Sequence, residues 1–203
     1  YEFEGFFGFH IGNAHEHGDN ISVDALCVKN MDVMGGLADV FAERGDEFKF
    51  LANGARFTRF TMNLASGARH QALVEGSIAG EFPAWNPQFT GRENRYTWLS
   101  TIIENGTPYS FNAVQKVDHQ TGELKVFDFG AGRFSSEVNF IPHGKDATED
   151  EGYLISIVYN HARKKSEVVI VDAGDMRTEI AVIPLEHHVP FGFHGGFYSA
   201  TFV

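Results

Sequence analysis

The chain has 203 residues, with 16 Lys plus Arg against 27 Asp plus Glu and a formal charge of −11. That balance excludes a nucleic-acid partner, which would call for a continuous basic face, whereas Arg92, Arg95, Arg163, Lys164 and Lys165 form only short clusters. No run approaches the ~18 apolar residues of a membrane span. A single cysteine, Cys27, excludes an internal disulfide or a Cys-based zinc site and fits a reducing, cytoplasmic setting. The 43% hydrophobic content is that of a folded protein, and 20 Phe and 22 Gly against 6 Pro suggest short strands, glycine turns and an aromatic interior.

In chain order, the apolar residues alternate over short runs and do not keep helical spacing, so the fold class is all-β. The predicted strands are Phe3–Ile11, Ile21–Val28, Phe48–Asn53, Arg56–Asn63, His70–Glu75, Arg95–Ile103, Ser110–Val117, Glu123–Asp128, Ser136–Phe140, Gly152–Tyr159, Glu167–Asp172, Glu179–Pro184 and Phe193–Thr201. Turn chemistry separates them at Gly18-Asp19-Asn20, Asn53-Gly54, Ser66-Gly67, Glu104-Asn105-Gly106, Asp118–Gly122 and Gly130-Ala131-Gly132. Gly36–Gly45 reads as one short surface helix, and Gly144–Gly152 as a charged, solvated loop. Turns every 8–12 residues leave a sandwich, a barrel or a propeller, and at ~40–50 residues per blade this length holds three to four blades, too few to close a ring. The sequence opens inside a strand pattern without an initiator Met, which implies that N-terminal material is missing.

Ten histidines and one cysteine raise the question of a metal. A lone histidine is most often a surface or hydrogen-bonded residue, and His70, His119, His143 and His161 are read that way. His10 and His194 differ, because each closes a Phe-Gly-Phe-His sequence at opposite ends of the chain. An imidazole in apolar surroundings stays neutral, which is the form that binds metals. A ligating imidazole donates its other N–H to an acceptor, and Glu81, leading Glu81–Pro87, and Glu137, flanked by Ser136 and Val138, are candidates. No Ser/His/Asp arrangement, P-loop, GxSxG or HExxH is present.

Five segments, Phe9–Glu16, Glu81–Pro87, Ser136–Pro142, Ile170–Ala173 and Val189–Gly195, resemble in order the C-terminal half of the carotenoid cleavage oxygenase family. The resemblance covers nearly the whole chain and implies three to four blades of a seven-bladed β-propeller, with residues 1–203 the C-terminal portion of that single domain. It implies a non-haem Fe(II) held by four histidines: His10 as the third ligand, His194 as the fourth, and Glu81 and Glu137 behind them. It makes Phe9 and Phe193 substrate-binding aromatics, with core packing as their alternative. The first two histidines and one glutamate of such sites lie upstream, so an N-terminal half would supply them. The implied reaction is O2-dependent cleavage of a C=C bond in an apolar conjugated carotenoid, apocarotenoid or stilbene. The short ending and lack of insertions look most like bacterial lignostilbene- or apocarotenoid-cleaving members. Peripheral membrane contact would serve substrate collection, although the charge of −11 disfavours anionic lipid. Two other readings stay open: a propeller binding module that has lost the iron, and a β-sandwich with a mononuclear metal site.

Overall fold

The computed structural model describes residues 1–29, 54–103, 111–190 and 192–198. The expected strand at 48–53, the helix at 36–45 and the turn at 104–106 lie outside these residues. Three antiparallel sheets follow one another along the chain. The first contains β1 (Ile11–His17), β2 (Asn20–Cys27), β3 (Arg56–Asn63) and β4 (Arg69–Leu73), in that order. The second contains β5 (Glu81–Ala84), β6 (Tyr96–Thr101), β7 (Ala113–Asp118) and β8 (Leu124–Asp128). The third runs β10 (Asn139–Pro142), β11 (Gly152–Asn160), β12 (Lys165–Asp172) and β13 (Glu179–Pro184), with β9 (Arg133–Ser135) also paired to β11. In each, strands adjacent in the chain pair as neighbours, and the predicted turns at Gly18-Asp19-Asn20, Ser66-Gly67 and Asp118–Gly122 join β1 to β2, β3 to β4 and β7 to β8, with Gly130-Ala131-Gly132 leading from β8 to β9. Gly18, Gly67, Gly122, Gly130 and Gly132 all take positive φ there.

Among the described residues the middle sheet is covered on both faces, as a blade stacked between two others is and as a member of a two-sheet sandwich is not. Alternation along β6 sends Trp98 into a cluster with Phe140, Leu154, Val169 and Val171 of the third sheet, and Leu99 into one with Leu26, Phe57 and Val74 of the first. A strand buried on both sides can still carry polar residues if they are bonded. On β7 the Gln115 amide bonds Ile78 N–H and the carbonyls of Ile78 and Ala79, and Lys116 donates to Asp150 (2.6 Å) and the Gly174 carbonyl (3.0 Å).

Four expectations need correction. Residues 3–10 are not a strand: Phe7 alone bridges Val28, while Phe3 and Phe6 pack on the Phe60 ring at 4.9 and 5.1 Å. A side chain at Gly8 would lie 2.7 Å from the Leu26 carbonyl oxygen, so the chain passes too close for a regular edge strand with alternating side chains. Of the expected strand Ser136–Phe140 only Asn139 and Phe140 are strand, at the start of β10; residues 136–138 form the break after β9, where the Ser136 carbonyl accepts from Ser100 and the Glu137 carbonyl from Ser156. Residues 192–198 form no strand. The 144–152 loop is not merely solvated: Glu149 accepts the Arg95 and Tyr96 backbone N–H groups at 2.7 and 2.8 Å, and Asp150 is the partner of Lys116.

Candidate metal centre

His10 lies just before β1, and its carbonyl accepts the Leu26 N–H, which fixes it at the mouth of the first sheet. Glu81 starts β5, the edge of the second sheet. Its Oε2 accepts from His10 Nδ1 at 2.7 Å, with side chains only 12% and 19% exposed. His194 comes from the segment after β13, and Glu137 from the break between β9 and β10. Their Nδ1 and Oε2 are 3.0 Å apart, and the Gly195 N–H donates to the other Glu137 oxygen. A carboxylate only accepts, so in each pair Nδ1 carries a proton and Nε2 is the ring nitrogen left to ligate a metal. The two imidazoles, 184 positions apart in sequence, meet with ring centroids 5.1 Å apart at 78°.

That donor set fits part of a metal site. Two imidazoles in ring contact, each held through Nδ1 by its own carboxylate, leave Nε2 as the atom through which each could bind a metal. Among the described residues no three His, Cys, Asp or Glu side chains gather as a metal-binding group, so what these residues bring is the two imidazoles. Early divalent ions such as Fe(II) need more ligands than that to be held firmly.

The expected substrate aromatics are placed differently from each other. Phe193 is 72% exposed and lines a hollow of about 390 Å³ with Ile155, Ile157 and Val189. A second hollow, of about 640 Å³, is bounded by Phe82, Trp85 and Phe140. The two share a wall of Glu137, Asn139 and His194. Phe9 is not among the residues lining either; it packs edge-on against Phe7 at 4.9 Å, with its centroid 6.4 Å from that of His10.

Three features escaped the sequence reading. Phe82 packs against both imidazoles, at 4.7 Å from His10 and 5.7 Å from His194; the available signal was Pro83, which marks an irregular or edge strand. Ser166, fully buried on β12, exchanges bonds with Val189 through its hydroxyl and bonds His187 and Leu185 through its backbone, tethering the segment that leads to His194. The third is a polar network between the first two sheets. Arg59 on β3 binds Asp24 on β2 through two 2.7 Å bonds, and His119 in the β7–β8 turn lies 2.9 Å from Thr97 Oγ1 and 3.5 Å from Arg59 Nη2. Burial and then the Arg59 charge lower the His119 pKa to about 4, and the same two causes lower that of His15. Nearby, the Arg95 guanidinium holds Asp118 far below the usual carboxylate range.

Residues 1–199 match the family described as RPE65, retinal pigment epithelial membrane protein. The chain belongs to this carotenoid cleavage oxygenase family. It is 30% identical over 190 residues to apocarotenoid-15,15'-oxygenase of Synechocystis, covering 93% of this chain and 38% of that protein. It is 33% identical over 215 residues to carotenoid 9,10(9',10')-cleavage dioxygenase of Crocus sativus, covering 97% of this chain and 37% of that one. The structure of cobalt-substituted Synechocystis ACO superposes with a TM-score of 0.82 at 29% identity, over 96% of this chain and 40% of the other. The chain therefore spans about two fifths of the length of the relatives it matches. The three sheets correspond to blades of that propeller, and as a set they are open.

Proposed function

We propose that this chain is the C-terminal part of a non-haem Fe(II)-dependent dioxygenase that cleaves a C=C bond of a carotenoid, apocarotenoid or stilbene-type substrate into two carbonyl products. The observation that carries the reading is the pairing of His10 with Glu81 and of His194 with Glu137, which engages Nδ1 of two touching imidazoles and leaves their Nε2 atoms to a metal. The cleavage activities named for the Synechocystis and Crocus relatives support the reaction class. The cobalt in a solved Synechocystis relative supports a metal in that protein.

In this proposal His10 and His194 hold the iron together with two histidines from the N-terminal part of the protein. Bound there, Fe(II) would supply activation of O2 beside the double bond. Glu81 and Glu137 accept from each Nδ1, which anchors one edge of each imidazole and leaves Nε2 to the metal. The hollows on either face of His194 present Phe82, Trp85, Phe140 and Phe193 to an apolar polyene or stilbene. Burial of apolar area binds it, and its depth of insertion selects the bond that is cut. Phe9, whose ring centroid is 6.4 Å from that of His10, is assigned to substrate with Phe193, although it lines neither hollow.

The test uses the full-length protein loaded anaerobically with Fe(II), an apocarotenal or a hydroxystilbene as substrate, and detection of both carbonyl products with O2 uptake. His10→Ala and His194→Ala are expected to abolish cleavage, while His70→Ala, on the exposed β4, leaves it intact. Full turnover by His194→Ala would overturn the assignment. A wild-type protein that binds substrate without iron would be a binding module.

A further inference from the structure

Phe82 has a backbone that a bulky residue rarely adopts, with φ of 55°. Such a conformation is strained and persists only where the surroundings enforce it. In a regular strand Glu81 and Phe82 would point to opposite faces of the sheet. Here both reach the same imidazole: Glu81 Oε2 bonds His10 Nδ1 at 2.7 Å, and the Phe82 ring lies 4.7 Å from the His10 ring. The β5–β6 register breaks between Glu81 and Ala84, and Pro83 offers no N–H to restore it. The left-handed residue in this bulge thus turns consecutive side chains to one side. The Phe82 ring also meets His194 at 5.7 Å and 80°, and Phe111 braces it from another direction at 5.6 Å and 76°.

We infer that Phe82 is a positioning residue for the metal centre, a ring wedged against both imidazoles, which themselves touch, that fixes the tilt of each. The strained backbone at 82 is the means by which one short strand delivers both the carboxylate acceptor and the wedge. The glutamates alone do not set this geometry, because a single hydrogen bond at Nδ1 leaves the imidazole free to tilt about that bond. The Phe82 ring, packed against both imidazoles, restrains the tilt of both at once. This inference rests on the metal-centre reading, and its test separates the two.

Full-length wild type, Phe82→Ala, Phe82→Gly and Phe82→Tyr are titrated with Co(II), with dissociation constant, visible absorption spectrum and metal-free thermal stability as readouts. Phe82→Ala keeps the strained backbone without the wedge, and Phe82→Gly relieves the strain as well, so Phe82→Gly is expected to be the more stable of the two without metal. Both are expected to bind Co(II) about 10–100-fold more weakly, the range seen when groups that orient metal ligands are removed, with a shifted Co(II) spectrum. Phe82→Tyr, which keeps a six-membered ring, should restore both affinity and spectrum. Wild-type affinity and spectrum in Phe82→Gly would overturn the wedge while leaving the metal centre standing. Failure of the wild type itself to bind Co(II) would overturn both.

Discussion

Acidification should weaken this fold through His119, by an amount that follows from its surroundings. The Arg59 guanidinium only donates, so His119 Nδ1 facing it accepts and Nε2 carries the proton toward Thr97 Oγ1. A second proton would have to be placed at Nδ1, against a cation and away from water, and the folded pKa accordingly falls from 6.5 to about 4. The unfolded chain therefore binds more protons between these values. The stabilisation is complete above pH 6.5 and is lost as pH falls toward 4. At ~1.36 kcal/mol per pK unit the whole interval is worth about 3 kcal/mol, of which about 2 kcal/mol disappears between pH 7 and pH 4.5. His15, lowered for the same reasons, adds loss in the same direction. Urea denaturation of wild type and His119→Gln at both pH values isolates the term, because every other titrating group is common to the two proteins. The variant should lose about 2 kcal/mol less on acidification. Equal losses in both proteins would refute the placement of a neutral, buried imidazole beside Arg59.

Other outcomes follow from the same contacts. Asp24→Ala leaves the Arg59 guanidinium without its carboxylate between two sheets and should cost about 3 kcal/mol, seen as a lower urea midpoint at unchanged slope; a change below ~0.5 kcal/mol would contradict the pairing. Glu81→Ala and Glu137→Ala should each weaken metal binding by about 10–100-fold in equilibrium dialysis, and unchanged affinity in either would show that its imidazole is oriented by something else. Ser166→Ala removes both hydroxyl bonds to Val189 and should cost about 1–2 kcal/mol, with faster hydrogen exchange at the Val189 amide; unaltered exchange would show that the tether is not the hydroxyl.

What the sequence revealed depended on whether a residue's partners were near it in the chain. Arg56–Asn63 and Glu179–Pro184 are read to the residue because alternation and flanking turn residues are local signals. β1 is misplaced toward Phe3–Ile11 because its pattern is inverted. Ile11 is 61% exposed, while Asn13 and His15 are buried, Asn13 satisfied by the Phe89 and Arg92 carbonyls and the Asn94 side chain. Hydrophobic periodicity cannot show a polar face whose bonding partners lie some 80 positions away. The same reason hides Glu149 and Asp150, which look like loop charges until Arg95 and Lys116 fold beside them. His10, His194, Glu81 and Glu137 were legible through the family resemblance of short motifs; which glutamate meets which histidine was not, and the structure sets Glu81 against His10 and Glu137 against His194. Phe82 was not legible, because its role lies in a backbone angle.

Iron content tests the central claim most directly. The full-length protein, purified anaerobically, should hold about one iron per chain, as should His70→Ala, while His10→Ala and His194→Ala should hold almost none. An iron-free wild type after reconstitution with Fe(II), or full iron in His194→Ala, would contradict the account.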